Sequence, residues 1–258
     1  MASIRYTIVG RGPNKVVAAH SWLADHQTYK PMMPFLDGEK YSFAFPDFRG
    51  YGLSRDIAGE FSVREMGRDL LGVADDLGWE RFHLVGNSMG GQAVQWLAGQ
   101  PGAAARVRGC VLLCSVPAAG MPLDADTAAF FGSAVDDVAV RGQLAGIVTG
   151  RRLGDGFSAF MARLSAETAT RAAIAGYLRA WTEDDVRGEI GAFAGPVQSY
   201  VGRHDPVLTE AVARDGILPL FADASLATLE GTGHYPSMEV PAYTAALLGS
   251  LHEAGTPS

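Results

Sequence analysis

A single serine stands among glycines in the stretch GNSMGG, directly after the apolar residues Leu84 and Val85. The apolar run predicts a strand that ends near Gly86, and the residues after Ser88 predict a helix that begins at once. A serine at such a turn stands clear of the sheet, and the free N–H groups of the helix N-terminus can bind an anion. The turn strains the serine backbone and needs small neighbours, which the glycines supply. Ser88 is therefore a candidate nucleophile.

A serine hydroxyl becomes a good nucleophile only when a base accepts its proton and an acid orients that base. Two later stretches offer such groups: YVGRHDPVL carries Asp205 just beyond a predicted strand, and LEGTGHYPSME carries His234 just beyond the next one. Ligands of open parallel sheets bind at the carboxyl ends of the strands, so both side chains are expected at the same edge. The simpler alternative, in which Ser88 only caps a helix, leaves these two positions unexplained.

The elements that must position these residues follow an alternating pattern. Short β-branched runs alternate with amphipathic segments through the first 115 residues, which predicts a parallel sheet wound with helices. An alanine-rich stretch with helical periodicity then covers residues 120–190, before strand-like runs return. We expect a core domain of residues 1–119 and 191–258 and a helical lid of residues 120–190. The predicted strands are 4–10, 15–20, 41–47, 81–86, 107–116, 196–202 and 225–231.

The stretch GNSMG resembles the nucleophile elbow of the α/β-hydrolase superfamily. The stretches around Asp205 and His234 resemble its acid and histidine loops, and the three occur in the order that the superfamily uses. The resemblance implies an α/β fold with a mostly parallel sheet flanked by helices and a helical lid between the sixth and seventh strands. It also implies Ser88 as nucleophile, His234 as base and Asp205 as orienting acid. One strand precedes the VVAAH strand here, where many members have two.

The stretch AAHSWLADH resembles the superfamily's His-Gly-x loop, with His20 in the histidine place and Ser21 where glycine is usual. The resemblance implies that the backbone N–H groups of Trp22 and Met89 form an oxyanion hole. A further stretch, FPDFRGYGLS, resembles a turn whose Asp47, Arg49 and Ser54 support the neighbouring loops.

Serine at the elbow fits acyl transfer, and the overall organisation and the short lid resemble those of the carboxylesterase, enol-lactonase and cofactor-free haloperoxidase/perhydrolase branch. The many aromatic residues of the lid and the oxyanion loop favour a small to medium, largely apolar substrate. A substrate that bears a carboxylate stays open, because the lid also carries several arginines. The expected pocket residues are His20, Trp22, Phe131, Phe160, Trp181 and Tyr235.

Three alternatives on the same fold remain at this point. Cofactor-free dioxygenases of heteroaromatic substrates share the elbow serine and the histidine loop, but take their acid from the strand before the lid. That strand ends LLCSVPAAG here, with no carboxylate before Asp124. A C–C bond hydrolase is the second alternative, and a hormone-receptor-like binding protein is the third.

Composition narrows the classes further. The net charge is −7 and the basic residues are scattered, so a nucleic-acid partner is not expected. Neither a signal peptide nor an apolar run long enough to span a membrane is evident, which predicts a cytoplasmic protein without a membrane partner. Cys110 and Cys114 are four residues apart on a predicted strand, too far for a disulfide, and no metal site is expected. The expected partner is a small-molecule substrate, no cofactor is implied, and a homodimer stays open.

Overall fold

The computed structural model of the chain describes residues 3–249 and Leu251. Seven strands of this described part form one sheet. They are β1 (Tyr6–Gly10), β2 (Asn14–Ala19), β3 (Tyr41–Pro46), β4 (Phe82–Asn87), β5 (Val107–Leu113), β6 (Val197–Gly202) and β7 (Ala224–Leu229).

The spatial order of the strands is β1-β3-β2-β4-β5-β6-β7, and β1 pairs antiparallel with β3 while the other neighbours pair parallel. Successive side chains of a strand point to opposite faces of a sheet, and here both faces are covered. Val17 and Leu84 belong to one apolar cluster, whereas Val16 and Val85 belong to a second cluster on the other face. This double burial explains why the central strands are continuous apolar runs. The expected fold class, a mostly parallel sheet flanked by helices, is confirmed.

Helices cover the sheet and form the segment inserted after β5. No helix of the described residues is both long and apolar enough to cross a membrane. The helices are α1 (Val63–Asp76), α2 (Met89–Ala98), α3 (Pro101–Ala104), α4 (Ala125–Ser133), α5 (Val138–Val148), α6 (Gly154–Thr168), α7 (Arg171–Glu183), α8 (Glu210–Gly216), α9 (Pro236–Glu239) and α10 (Pro241–Leu248).

The inserted helices α4 to α7 lie between β5 and β6. Within the described residues the insertion therefore follows the fifth strand rather than the sixth, because a single strand precedes β2. The strand β5 ends at Leu113, three residues before the predicted end at residue 116. The reason is local: Cys114 has a φ of +42°, which turns the chain out of the sheet.

Candidate active site

Ser88 lies at the turn between β4 and α2, where it is the N-cap residue of the helix. Its backbone has φ 57° and ψ −120°, a conformation that costs free energy for any residue with a Cβ. The flanking glycines make the turn sterically feasible. A Cβ on Gly86 would lie 2.6 Å from the carbonyl oxygen of Gly90, and a Cβ on Gly90 would lie 2.6 Å from that of His20. The strain is therefore held in place by close backbone packing on both sides.

The structure brings Asp205 and His234 together, although 29 residues separate them in the sequence. The Nδ1 atom of His234 lies 2.6 Å from Oδ2 of Asp205, and both side chains are buried. The other carboxylate oxygen of Asp205 accepts hydrogen bonds from the N–H groups of Val207 and Leu208, at 2.9 and 3.1 Å. A carboxylate only accepts hydrogen bonds, so Nδ1 of His234 carries the proton and Nε2 keeps a free lone pair. This is the tautomer that a general base requires.

The oxyanion loop, residues 20–25 after β2, is fixed by the side chain of His20. The N–H of Phe48 donates to Nε2 of His20 at 3.0 Å, so the proton of the neutral ring is on Nδ1, which contacts the carbonyl oxygen of Ser21 at 2.8 Å. Burial lowers the pKa of His20, which favours this neutral form. In a trans peptide the carbonyl and the next N–H point in opposite directions. The Trp22 N–H is therefore directed away from His20.

Two further contacts hold Trp22 in place. The hydroxyl of Tyr51 donates to the Trp22 carbonyl oxygen, and the indole N–H of Trp22 donates to the carbonyl oxygen of Ile174 in α7 at 2.9 Å. Met89 is the first residue of α2, and the N–H groups of a first helical turn have no acceptor inside their helix. The loop is thus held in place although Ser21 stands where glycine is usual.

Ser88 and His234 border one cavity of about 50 Å³, which is otherwise lined by apolar and aromatic side chains. Of the predicted pocket residues, Trp22, Phe131 and Trp181 line it. Seven residues that were not predicted for the pocket complete the lining; only their apolar character marks them in the sequence, and core residues share it. They are Leu23, Val116, Met121, Leu144, Val148, Val207 and Leu208.

Three predicted pocket residues lie elsewhere. His20 is fully buried, with its ring 4.8 Å from that of Phe48, and Tyr235 is buried with its ring 5.0 Å from that of His234. Phe160 is 41% exposed, and this part of the prediction is corrected. The reason is the helical phase of α6, because the next residue, Met161, is the one that faces the interior.

The FPDFRGYGLS stretch holds the chain directly after the oxyanion loop. The Asp47 carboxylate accepts the backbone N–H of His26 at 2.8 Å, the N–H of Leu53 at 2.8 Å and a contact from the His26 ring at 2.9 Å. Burial alone lowers the pKa of His26, but the Asp47 carboxylate outweighs it and leaves that pKa raised. Burial alone raises the pKa of Asp47, but the hydrogen bond from His26 outweighs it and leaves that pKa lowered. When His26 is protonated, the two groups form a buried ion pair, with Nδ1 of His26 2.9 Å from the Asp47 carboxylate.

The same cluster is the one group of the described residues whose ligand atoms lie close enough to hold a metal ion. One atom each of Asp25, His26 and Asp47 lie within 4.8 Å of one another. Their hydrogen bonds to each other and to backbone N–H groups already account for the cluster, for Asp25 also accepts from the N–H of Gln27 at 2.9 Å. These contacts indicate that the cluster stabilises the oxyanion loop.

Comparisons with known proteins find similarity in the fold and in short aligned stretches of the chain. The profile of the α/β hydrolase fold matches residues 15–241. A stretch of 82 residues is 33% identical to 3-oxoadipate enol-lactonase 1 of Acinetobacter baylyi, covering 32% of this chain and 30% of that protein. A stretch of 95 residues is 30% identical to the 2-heptyl-3-hydroxy-4(1H)-quinolone dioxygenase of Mycobacteroides abscessus, covering 36% of this chain and 35% of that protein. The alignments thus span about a third of these relatives.

Among solved structures, bromoperoxidase from Bacillus anthracis superposes with a TM-score of 0.85. The superposition covers 96% of this chain and 94% of the other, at 20% sequence identity. At 20% sequence identity, this superposition shows a shared fold and nothing further.

Proposed function

Because the chain belongs to the α/β hydrolase fold family, whose profile matches residues 15–241, we propose that it is a serine hydrolase. It cleaves a carboxylic ester or lactone of a small to medium, largely apolar substrate through an acyl-enzyme intermediate. The observation that carries the proposal is the shared cavity. Ser88, on its strained turn, and His234, held by Asp205 at 2.6 Å, border the same apolar space.

The proposed reaction begins when Ser88 Oγ attacks the substrate carbonyl and His234 Nε2 accepts its proton. Asp205 keeps the His234 ring in the required tautomer and stabilises the imidazolium that forms. His234 then returns the proton to the leaving alcohol, which leaves an acyl group on Ser88. Water, activated by the same Nε2, releases the acid and restores the serine.

The negative charge that develops on the carbonyl oxygen needs donors already in position. The proposal assigns this task to the backbone N–H groups of Met89 and Trp22. The first belongs to the N-terminus of α2, which also favours an anion through its dipole. The second is oriented by the Nδ1 contact of His20 to the Ser21 carbonyl. Neither donor is a side chain, so each depends on the loop geometry described above.

The lining of the cavity supports an uncharged acyl group. The arginines considered as clamps for a carboxylate are absent from the cavity wall as far as the structure describes the chain. Arg152 and Arg171 instead contact Glu239 and Asp136, respectively. A cavity of about 50 Å³ has room for a few water molecules, which is the space of a short acyl chain. The similarity to an enol-lactonase is consistent with an ester or lactone as the bond that is cleaved.

Replacement of the nucleophile tests the proposal. We expect Ser88→Ala to lower kcat for p-nitrophenyl acetate on the order of 10³-fold or more while the fold is kept, because no other group can form the acyl-enzyme. A fluorophosphonate probe should label the wild-type protein at Ser88, as read by mass spectrometry of the modified peptide.

Ser199→Ala is the matched control, because Ser199 is also buried and its hydroxyl has no hydrogen-bond partner among the described residues. It should retain wild-type turnover and labelling. Substantial esterase activity of Ser88→Ala would contradict the proposed mechanism.

A dioxygenase is the second candidate, favoured by the similarity to the quinolone dioxygenase. The geometry argues against it: Asp124, the first carboxylate after β5, is exposed and caps α4 through the N–H of Thr127 at 2.9 Å. The Asp124 carboxylate is thus already hydrogen-bonded at the surface, and the acid that contacts His234 is Asp205. Oxygen uptake with a 3-hydroxy-4-quinolone, compared under air and nitrogen, separates the two candidates.

A further inference from the structure

We infer that Glu239 is a positioning residue for His234, an inference that rests on the proposed serine mechanism. Glu239 ends the short helix α9, five positions after the histidine. Its Oε2 atom accepts the N–H of Gly233 at 2.8 Å, and its Oε1 atom accepts the N–H of Tyr235 at 2.9 Å. One carboxylate therefore holds the main chain on both sides of the catalytic base.

The charge of Glu239 is balanced by a residue of the inserted segment. The Glu239 side chain is 1% exposed, and Nη1 of Arg152 lies 3.0 Å from its Oε2. The other terminal nitrogen of Arg152 donates to the carbonyl oxygen of Gly231 at 3.1 Å. A buried carboxylate without a partner is strongly unfavourable, so Arg152 and the two N–H groups together make this position of Glu239 tolerable.

The carbonyl groups of Gly233 and His234 are held in the same way, by side chains at the carboxyl ends of β4 and β5. Asn87, next to the nucleophile, donates from Nδ2 to the His234 carbonyl oxygen at 3.1 Å and to that of Leu113 at 2.9 Å. The thiol of Cys114 donates to the Gly233 carbonyl oxygen at 3.3 Å. Glu239 supplies the corresponding restraint on the N–H groups. The peptides around the base are therefore fixed at both their donors and their acceptors.

The inserted segment also packs directly on this loop. A Cβ on Gly233 would lie 2.7 Å from the Cα of Thr149 and 2.8 Å from the carbonyl oxygen of Val148. The turn that follows α5 carries Arg152, so the ion pair with Glu239 lies where the inserted segment already touches the histidine loop. The position of His234 therefore depends on how this turn packs against the histidine loop.

The orientation of His234 Nε2 towards the Ser88 hydroxyl depends on the backbone as well as on the ring. Asp205 restrains the ring at Nδ1 alone, so a shift of the backbone can still swing Nε2 away from the Ser88 hydroxyl. Displacements of about 1 Å at reacting groups can cost on the order of 10²-fold in rate. Loss of the Glu239 restraint should therefore lower kcat while leaving the apolar cavity, and so KM, nearly unchanged.

Glu239→Gln keeps the length of the side chain but presents an amide NH₂ to one of the two N–H groups. We expect kcat for p-nitrophenyl acetate to fall by roughly 10- to 100-fold, with KM within about twofold of wild type. Glu239→Asp keeps the charge, but its side chain is too short to reach both N–H groups. Its kcat should fall to a similar degree. Glu65→Gln is the matched control: Glu65 is also buried, accepts the N–H of Phe61 at 2.9 Å and lies 3.4 Å from Arg49. It should lower the unfolding temperature without changing kcat.

Arg152→Ala keeps the inference testable should the Glu239 variants not fold. It should lower kcat by roughly tenfold at unchanged KM, whereas Arg171→Ala, which removes an exposed ion pair of the same segment, should not. Equal kcat values for these two variants would overturn the inference.

Fluorophosphonate labelling separates this inference from the function on which it rests. The rate of labelling at Ser88 should be slower in Glu239→Gln than in wild type by the same factor as kcat. A folded Glu239→Gln variant that is labelled as fast as wild type would overturn the role of Glu239 alone. A wild-type protein that is not labelled at Ser88 would overturn the serine mechanism, and the inference with it.

Discussion

The residues assigned to the chemistry are recognisable in the sequence because each lies in a distinctive local pattern. Ser88 is framed by glycines, and Asp205 and His234 each follow an apolar run that forms a strand. The residues that hold them are much harder to find. Asn87 and Glu239 act on main-chain groups that lie far away in the sequence or depend on the path of a loop. No periodicity or composition signal reports such contacts.

The role of Asp205 can be separated from its role in the fold by an isosteric change. In Asp205→Asn the side-chain oxygen can still accept the N–H groups of Val207 and Leu208, so the loop is preserved. The amide NH₂ then faces Nδ1 of His234, which forces the ring proton to Nε2 and removes the base. We expect kcat to fall on the order of 10³- to 10⁴-fold, close to the loss in His234→Ala.

Asp124→Asn is the control for this change, since Asp124 is the alternative acid nearest to the end of β5. It should retain full kcat, because its carboxylate caps α4 at the surface. An active Asp205→Asn together with an inactive Asp124→Asn would reverse the assignment of the acid.

At the scale of elements, hydrophobic patterns predicted the positions of the strands well. They did not predict which charged side chains are buried. Most strand ends lie within two residues of their predicted positions, because apolar runs report burial on both faces of the sheet. Asp69 is a charged residue of α1, yet it is buried, and its carboxylate oxygens accept hydrogen bonds from Arg49 at 2.8 Å. A periodic pattern assigns charged residues to solvent, and only the tertiary structure shows which of them have found a partner.

The ion pair of His26 and Asp47 gives the oxyanion loop a pH-dependent support. The pKa of His26 is raised above its ordinary value of 6.5, so its contribution to stability is complete below that value and is lost as the pH rises through the raised pKa. The pKa of Asp47 is lowered, so its contribution is present above the ordinary value of 3.8 and is lost in stronger acid. The pair therefore stabilises the fold between the lowered pKa of Asp47 and the raised pKa of His26.

We expect His26→Gln to lower the unfolding temperature by roughly 2–4 °C more at pH 6 than at pH 9, the effect of about 1 kcal/mol in a protein of this size. Thermal unfolding followed by circular dichroism at both pH values measures this difference. The charged and titratable groups around His26 are Asp25, Asp47, His20 and Lys30, and they are unchanged in the variant. Ser199→Ala, which removes no titratable group, should show no pH-dependent difference. A decrease for His26→Gln that is equal at the two pH values would contradict the ion pair.

At the scale of the whole molecule, the candidate site is assembled from the sheet edge and from the inserted helices. The loops at the carboxyl ends of the strands contribute Ser88 and His234, while α5 and α7 contribute wall residues such as Leu144 and Trp181. The sequence predicted that residues 120–190 form helices over the site, but their facing depends on how four helices pack against one another. The division into a core domain and a lid stays a prediction. Under the proposed function, the volume of the cavity should limit the size of the acyl group.

Enlargement of the cavity from the α5 side tests this limit. Leu144 is 1% exposed and lines the cavity, so Leu144→Ala opens space beside Ser88 for a longer acyl chain. We expect the ratio of kcat/KM for p-nitrophenyl hexanoate to that for the acetate to rise roughly tenfold, because each buried methylene contributes about 0.8 kcal/mol. Leu164→Ala removes the same atoms from a buried position of α6 outside the cavity wall, and should lower stability by about 2–5 kcal/mol without changing the ratio. The same ratio in all three proteins would mean that the acyl group binds elsewhere.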